Sequence, residues 1–358
     1  MKADNQRLLL RLLHEKGTLS RKELSVRSGL TPAAVSKLTA SLIADGYVKE
    51  CGVSESHIGA GRKEVRLQTT LEDILLLGVY VELNAVTFSV STMEGKAIDQ
   101  VQRSFSGEYD AVVSQTMEFL EERRDLRPKI RHIGVCVLGD GNENCIGPMG
   151  AAALQSAFES RFGLPTAVEN NVKAFVLAER CFGHKLLSNR TLFFKWGPGV
   201  GSALYAGGSV VSGDAGNVAE IGHYIVDPGG KKCRCGRYGC LETVCAQSVL
   251  LEESHEKTLE KLLESDAPET KNLLDQKINT VSIALTNTST IFSTKHIVLF
   301  GSMFRYPAIV EKLKKQMLRY NQNLAEEKIV LSGLNDRIGV VSPAAVCAER
   351  FFFSLQEE

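Results

Sequence analysis

Leu8, Leu9, Leu12 and Leu13 recur at the three- and four-residue steps of one helix face and stop at Gly17. Ser20 and Glu23 stand at the spacing of a capping box, in which each side chain satisfies a free amide of the first turn; a second helix opens there and stops at Gly29. Thr31 with Pro32 opens a third. In it Val35, Leu38 and Leu42 share one face as core, leaving Thr31, Ala33, Ser36 and Lys37 on the other. After Gly46, two strand-like runs flank Gly59-Ala60-Gly61-Arg62-Lys63, a hairpin with a basic tip. The pattern predicts a winged helix over residues 1–70. Its third helix carries small side chains that permit close approach to a duplex, with Ser36 and Lys37 toward the groove and Arg62 and Lys63 toward phosphate. A small helical module that docks a protein shares this pattern.

From residue 71 the period changes to two. Leu75–Glu82, Ala85–Thr92 and a third run to Phe105, with a turn at Glu94-Gly95, predict an antiparallel meander, and the run from Thr191 to Val211 repeats it. Each meander is followed by helices and a further strand, at Ile133–Leu138 and Ile297–Phe300. The expectation is an α/β fold of two duplicated lobes with a cleft between them, the actin-like or hexokinase-like (ribonuclease H-like) architecture. The first lobe is assigned to 71–183, completed by a C-terminal helix at 343–358, and the second to 184–342. Leu250 to Lys271 reads as one amphipathic, solvated helix, and Ile278, Val281, Ile283 and Leu285 as a long core helix. The scattered His14, His57, His132, His184, His255 and His296 read as surface or satisfied core groups. The join at Gln68–Glu72 is short, so lobe motion can be passed to the winged helix.

Composition narrows the class. At 358 residues and 44% hydrophobic content the chain has ample material for a core. Net charge is zero, yet in the first fifty residues Lys2, Arg7, Arg11, Lys16, Arg21, Lys22, Arg27, Lys37 and Lys49 outnumber Asp4, Glu15, Glu23, Asp45 and Glu50, which points to an anionic partner. Charges interrupt the leucines near Met1, so no signal-peptide core is read, and no apolar run approaches the roughly 18 residues of a membrane span. An odd count of nine cysteines fits a reducing compartment. The expected location is cytoplasmic.

His223, Cys233, Cys235 and Cys240 place one imidazole and three thiols within a single short loop containing Gly236 and Gly239. A Cys₃His set is a usual closed, tetrahedral structural zinc site, which leaves no coordination position for catalytic water. Incidental buried thiols, or a redox pair at Cys233 and Cys235, are the alternatives.

Glu220-Ile-Gly-His223 followed by Cys233-Arg-Cys235-Gly-Arg-Tyr-Gly-Cys240-Leu-Glu242 resembles the signature of the ROK family of repressors and sugar kinases, over about residues 71 to 358. The preceding winged helix matches the arrangement of that family's repressors. By the resemblance a hexose lies between the lobes, held by the equivalents of Asn170, Asn171, Glu220, His223 and Glu242. Glu220 and Glu242 serving only to order the metal loop is the alternative.

Two departures argue against phosphotransfer. Where the family's kinases have Asp-x-Gly-Gly-Thr to cradle ATP phosphate, this chain has Tyr80-Val81-Glu82-Leu83-Asn84. Where they have Glu-Asn-Asp, whose Asp is the general base, it has Glu169-Asn170-Asn171, and an amide takes no proton. The segment after Leu138, Gly139-Asp140-Gly141-Asn142-Glu143-Asn144-Cys145, is also shorter than the family's sugar-closing loop.

The resulting expectation is a zinc-containing repressor of carbohydrate genes without catalytic residues. It binds operator DNA as a homodimer or dimer of dimers and responds to a sugar or sugar derivative. The competing readings are a sugar kinase with degenerate motifs and a DNA-binding regulator controlled by a protein partner.

Overall fold

The computed structural model describes residues 2–53, 64–82, 84–105, 107–138, 150–183, 190–213 and 216–353. Helix α1 (Lys2–Lys16), β1 (Leu19–Ser20), α2 (Arg21–Ser28), α3 (Pro32–Ala44), β2 (Val48–Val53) and β3 (Val65–Thr69) form the winged helix, its sheet ordered β1-β3-β2. The local signals act as expected. Ser20 and Glu23 close the capping box, Gly29 ends α2 in the left-handed region, and Thr31 caps α3 by accepting from the Ala34 amide. Arg62 and Lys63, the basic hairpin tip, lie outside the described residues.

Beyond the winged helix two five-stranded sheets carry one strand order twice. The first comprises β4 (Leu75–Val81), β5 (Ala85–Thr92), β6 (Ala97–Ser104), β7 (Ile130–Val137) and β8 (Thr166–Asn170), ordered β6-β5-β4-β7-β8. Helices α4 (Tyr109–Glu121) and α5 (Gly150–Phe162) join its strands, and α6 (Asn171–Phe182) leaves it. The second comprises β9 (Arg190–Trp196), β10 (Val200–Ala206), β11 (Ser209–Val210), β14 (His296–Phe300) and β15 (Ile329–Leu331), ordered β11-β10-β9-β14-β15. Its long insertion holds the hairpin β12 (Ser212–Gly213) and β13 (Gly216–Asn217), then α7 (Leu241–Cys245), α8 (Gln247–Ser254), α9 (Leu259–Glu264) and α10 (Pro268–Phe292). Helix α11 (Pro307–Tyr320) links β14 to β15, and α12 (Ile338–Cys347) runs into a π-helical turn at Ala348–Phe353. In both sheets the first three strands pair antiparallel and the last two add parallel, the duplication read from the two meanders.

Alternation along each strand distributes the core. Leu77, Val79 and Val81 pack outward beneath α4 and α5, whereas Tyr80 points inward among residues of α6 and α12. On β9, Leu192, Phe194 and Trp196 pack outward, and Phe193 shares the inward cluster. Helices α6 and α12 therefore fill the space between the sheets. The fit of α12 is set by backbone: a Cβ on Gly134 would stand 2.3 Å from the Pro343 carbonyl oxygen, and one on Gly78 would stand 3.1 Å from the Pro343 Cβ.

Three sequence expectations change. The stretch 250–271 is not one helix: His255 in the left-handed region ends α8, Thr258 caps α9 and Pro268 opens α10. Ile283 of the expected core helix is 41% exposed on α10. The last helix starts at Ile338, ahead of the expected 343, and Pro343 sits inside it against the glycines of β4 and β7.

Gly134→Ala should overpack this contact and destabilise the chain by about 1–3 kcal/mol in urea unfolding. An unchanged midpoint would show that α12 is not seated by backbone contact.

Candidate functional site

The exposed face of α3 is the one the leucine spacing leaves free. Val35, Leu38 and Leu42 are buried in the winged-helix core, and Thr31, Ala33, Ser36 and Lys37 are all exposed. Thr39 is also buried and donates to the Val35 carbonyl, with Arg21 donating to its hydroxyl.

A cavity of about 350 Å³, in the range of small-molecule sites, opens between the sheets. It gathers Asn170, Asn171, Glu220, His223 and Glu242, all five residues expected there. Their roles are unequal. The Asn170 side-chain oxygen is spent capping α6, accepting from the Val172 and Lys173 amides at 2.8 and 3.2 Å. Asn171 is buried and donates to the Val81 carbonyl at 3.4 Å. Glu242 accepts from the Val200 amide at 3.1 Å and pairs with Arg234 at 3.3 Å, which fastens the cysteine-rich loop to the start of β10.

Two cationic side chains in this cavity escaped sequence reading. Arg234 lies between two cysteines, where only its partner Glu242 reveals a role. Lys195 has the same inward strand parity as Phe193, and it lines both this cavity and a neighbouring one of about 390 Å³. Burial depresses the Lys195 ammonium below its ordinary value, against the pull of the Glu82 and Glu242 carboxylates. Glu82 comes from the end of β4 and lines both cavities too. Tyr80 beside it is fully buried, and burial, with Glu82 next, raises its hydroxyl well above the usual value. Leu83, Asp140, Asn142 and Asn144 lie outside the described residues.

At one wall of the cavity the ligand atoms of His223, Cys233, Cys235 and Cys240 all lie within 4.8 Å of one another. His223 Nδ1 is 3.6 Å from the Cys233 sulfur, and the Cys235 and Cys240 sulfurs are 3.6 Å apart. Tetrahedral bonds of about 2.3 Å to sulfur give edges of about 3.8 Å, so the donor set fits a single metal ion. Gly239, at φ 63°, is required: a Cβ there would collide with the Asp227 carbonyl oxygen at 1.4 Å. With Nδ1 turned to the thiols, the other imidazole nitrogen is left for the cavity that His223 lines.

Two family models match the chain: one described as ROK family over residues 84–350, the other as winged helix-turn-helix DNA-binding over residues 2–49. The chain is similar to the DNA-binding transcriptional dual regulator NagC of Escherichia coli K12, with 28% identity over 259 residues. That match covers 69% of this chain, which spans 63% of the regulator's length. It is 23% identical to the xylose repressor of Bacillus subtilis over 372 residues, 98% of this chain and 96% of that one. Among solved structures, a ROK family transcriptional regulator described as a homolog of the E. coli MLC protein superposes with a TM-score of 0.80 at 24% identity, covering 99% of this chain and 97% of that one. A ROK hexokinase from Thermus thermophilus superposes with a TM-score of 0.62 at 23% identity, covering 76% and 97%. These two likenesses are of fold.

Cys235→Ser should remove the bound metal and lower stability by several kcal/mol, read by elemental analysis and denaturant unfolding. Metal-free wild-type protein with every thiol titratable would dissolve the assignment.

Proposed function

The chain belongs to the ROK family, and we propose that it is a DNA-binding transcriptional regulator, a repressor of carbohydrate-utilisation genes that responds to a sugar and transfers no phosphate. The observation that carries this reading is the joining, in one chain, of an exposed α3 face to a cavity whose base position is an amide. Thr31, Ala33, Ser36 and Lys37 enter the major groove, and Arg62 and Lys63 meet the backbone beside it. Its relatives named as a transcriptional regulator and a xylose repressor support the reading. Among the described residues no helix is long and apolar enough to cross a membrane; a protein that binds operator DNA, as a homodimer or dimer of dimers, works in the cytoplasm.

The sugar site comprises Asn170, Asn171, Glu220, His223 and Glu242. Carboxylates accept from paired hydroxyls, and amides both donate and accept. Zinc, held by His223, Cys233, Cys235 and Cys240, fixes the loop and the imidazole tautomer when bound. His223 then donates its remaining N–H to the sugar, and Glu242, already oriented by the Val200 amide and Arg234, accepts.

Phosphotransfer fails at both of its requirements. Asn171 donates to the Val81 carbonyl and accepts no proton. Glu82 projects a carboxylate into the cavity that a polyphosphate would need, and Lys195 opposite it balances that charge. The pair substitutes within the protein for the charge complementarity a nucleotide would otherwise supply.

Replacing Lys37, Arg62 and Lys63 with Ala should abolish binding to duplex DNA at low salt and leave metal content unchanged, measured by fluorescence anisotropy across a salt series. Wild-type affinity in that triple variant would refute the interface. In a thermal-shift screen of xylose, glucose, N-acetylglucosamine and their phosphates, at least one should raise the melting temperature by mass action. Neither wild type nor Asn171→Asp should turn over ATP with any of them. Sugar-dependent turnover by the wild type would make the chain a kinase.

A further inference from the structure

One helix reaches from the cavity to the DNA-binding unit. α6 is capped by Asn170 and begins at Asn171, both lining the cavity. Its 12 residues span about 18 Å at about 1.5 Å per residue. At its far end Arg180 pairs with Glu349 of the turn 348–353, and Phe182 packs against the winged-helix core. That turn is itself part of the same core: Phe352 and Phe353 are buried with Leu9, Leu13, Leu24 and Leu42. The rings of His14 and Phe353 lie 4.9 Å apart, and Tyr47 meets Phe352 edge-on at 5.0 Å. From the first sheet, His132 packs on Phe351 at 4.8 Å, and Arg131 lies over Tyr47 and donates to the Asp45 carbonyl at 3.2 Å.

The two helices between the sheets differ in attachment. α12 is seated on the first sheet through Pro343, Gly134 and Gly78, and none of its residues lines the sugar cavity. α6 grows out of β8 of the first sheet, where Asn171 donates to the Val81 carbonyl, and is also tied to the second sheet, because buried Glu179 accepts from Ser332 at 2.7 Å and a Cβ on Gly201 of β10 would stand 2.8 Å from Val172. A displacement of one sheet against the other therefore loads α6, which both sheets hold, and shifts it against the turn 348–353, to which the Arg180–Glu349 pair joins it.

We propose that α6 transmits the state of the cavity to the winged helix, with Arg180 and Glu349 as the positioning residues that pass its displacement into the turn 348–353 and so into the seating of α1 and Tyr47. α12 is the reference and α6, held by both sheets, is the part that shifts. The proposal rests on reading the chain as a sugar-responsive DNA-binding regulator, yet its test needs neither sugar nor operator.

Gly201→Ala drives a methyl group against Val172 and so pushes the first turn of α6 from the cavity side. Amide hydrogen exchange of the full chain, followed by mass spectrometry, reads the consequence at a distance. In Gly201→Ala, exchange in peptides covering α1 and 348–353 should change by at least about threefold, the size expected of coupling through a packed network. In the Arg180→Ala, Glu349→Ala double variant the same substitution should leave those peptides unchanged relative to its own parent. A change confined to β10 and the first turn of α6, or the same distant change persisting in the double variant, overturns the proposal. Should Gly201→Ala fail to fold, Val172→Leu crowds the same contact from the helix side and is read identically. If no sugar binds and this coupling is still measured, the effector reading fails and the transmitting role of α6 stands.

Discussion

Everything in this molecule is referred to the packing of two helices between two like sheets. α6 and α12 cover the facing sides of the sheets, and their packing removes Tyr80, Phe175, Phe193 and Phe300 from water together. At about 25 cal/mol per Å² of apolar area, four such aromatic side chains constitute a large part of the force holding the lobes as a pair. The same packing fixes where chemistry can occur. Asn170 and Asn171 reach the cavity because α6 starts where β8 ends, and Lys195 reaches it because its strand parity is that of Phe193.

Charge then decides what the cavity does. A buried ammonium without a carboxylate in direct contact is costly, as the depressed value at Lys195 records. Glu82, at the end of β4, and Glu242, on α7, both moderate that cost, so the electrostatics of the cavity depend on how the first sheet stands relative to α7. Glu242 is less free than its place in the signature implies, because an amide and a guanidinium already occupy its oxygens. A ligand must share that carboxylate with the loop that positions it.

The sequence made much of this legible because the signals were local. A capping box, an αL glycine after a helix, a three-Cys, one-His loop and two meanders each involve residues close in the chain, and each formed as spacing required. Interactions between distant residues were unreadable. Nothing near Lys195 in the chain marks it as a cavity group, because the carboxylates that face it, Glu82 and Glu242, are distant in sequence. His132 read as a satisfied or surface group, yet it is buried between Tyr47, Phe351 and Phe352 with Nδ1 unpartnered, and burial, with Arg131 next, lowers it to about 4. The break of 250–271 into α8, α9 and α10 was written in Thr258 and Pro268, but amphipathic periodicity masked those stops.

The seating of Phe352 and Phe353 among the leucines of α1 has a consequence for synthesis. The winged helix is translated first, but part of its apolar core arrives only after both sheets have been made. On the ribosome the winged helix waits on a hydrophobic surface that lacks its final layer, and contacts this distant in sequence are slow to close. Completion of the winged helix is thereby tied to completion of both sheets. A message broken before codon 348 yields a chain whose Leu9 and Leu13 lack part of their apolar covering, a target for quality control.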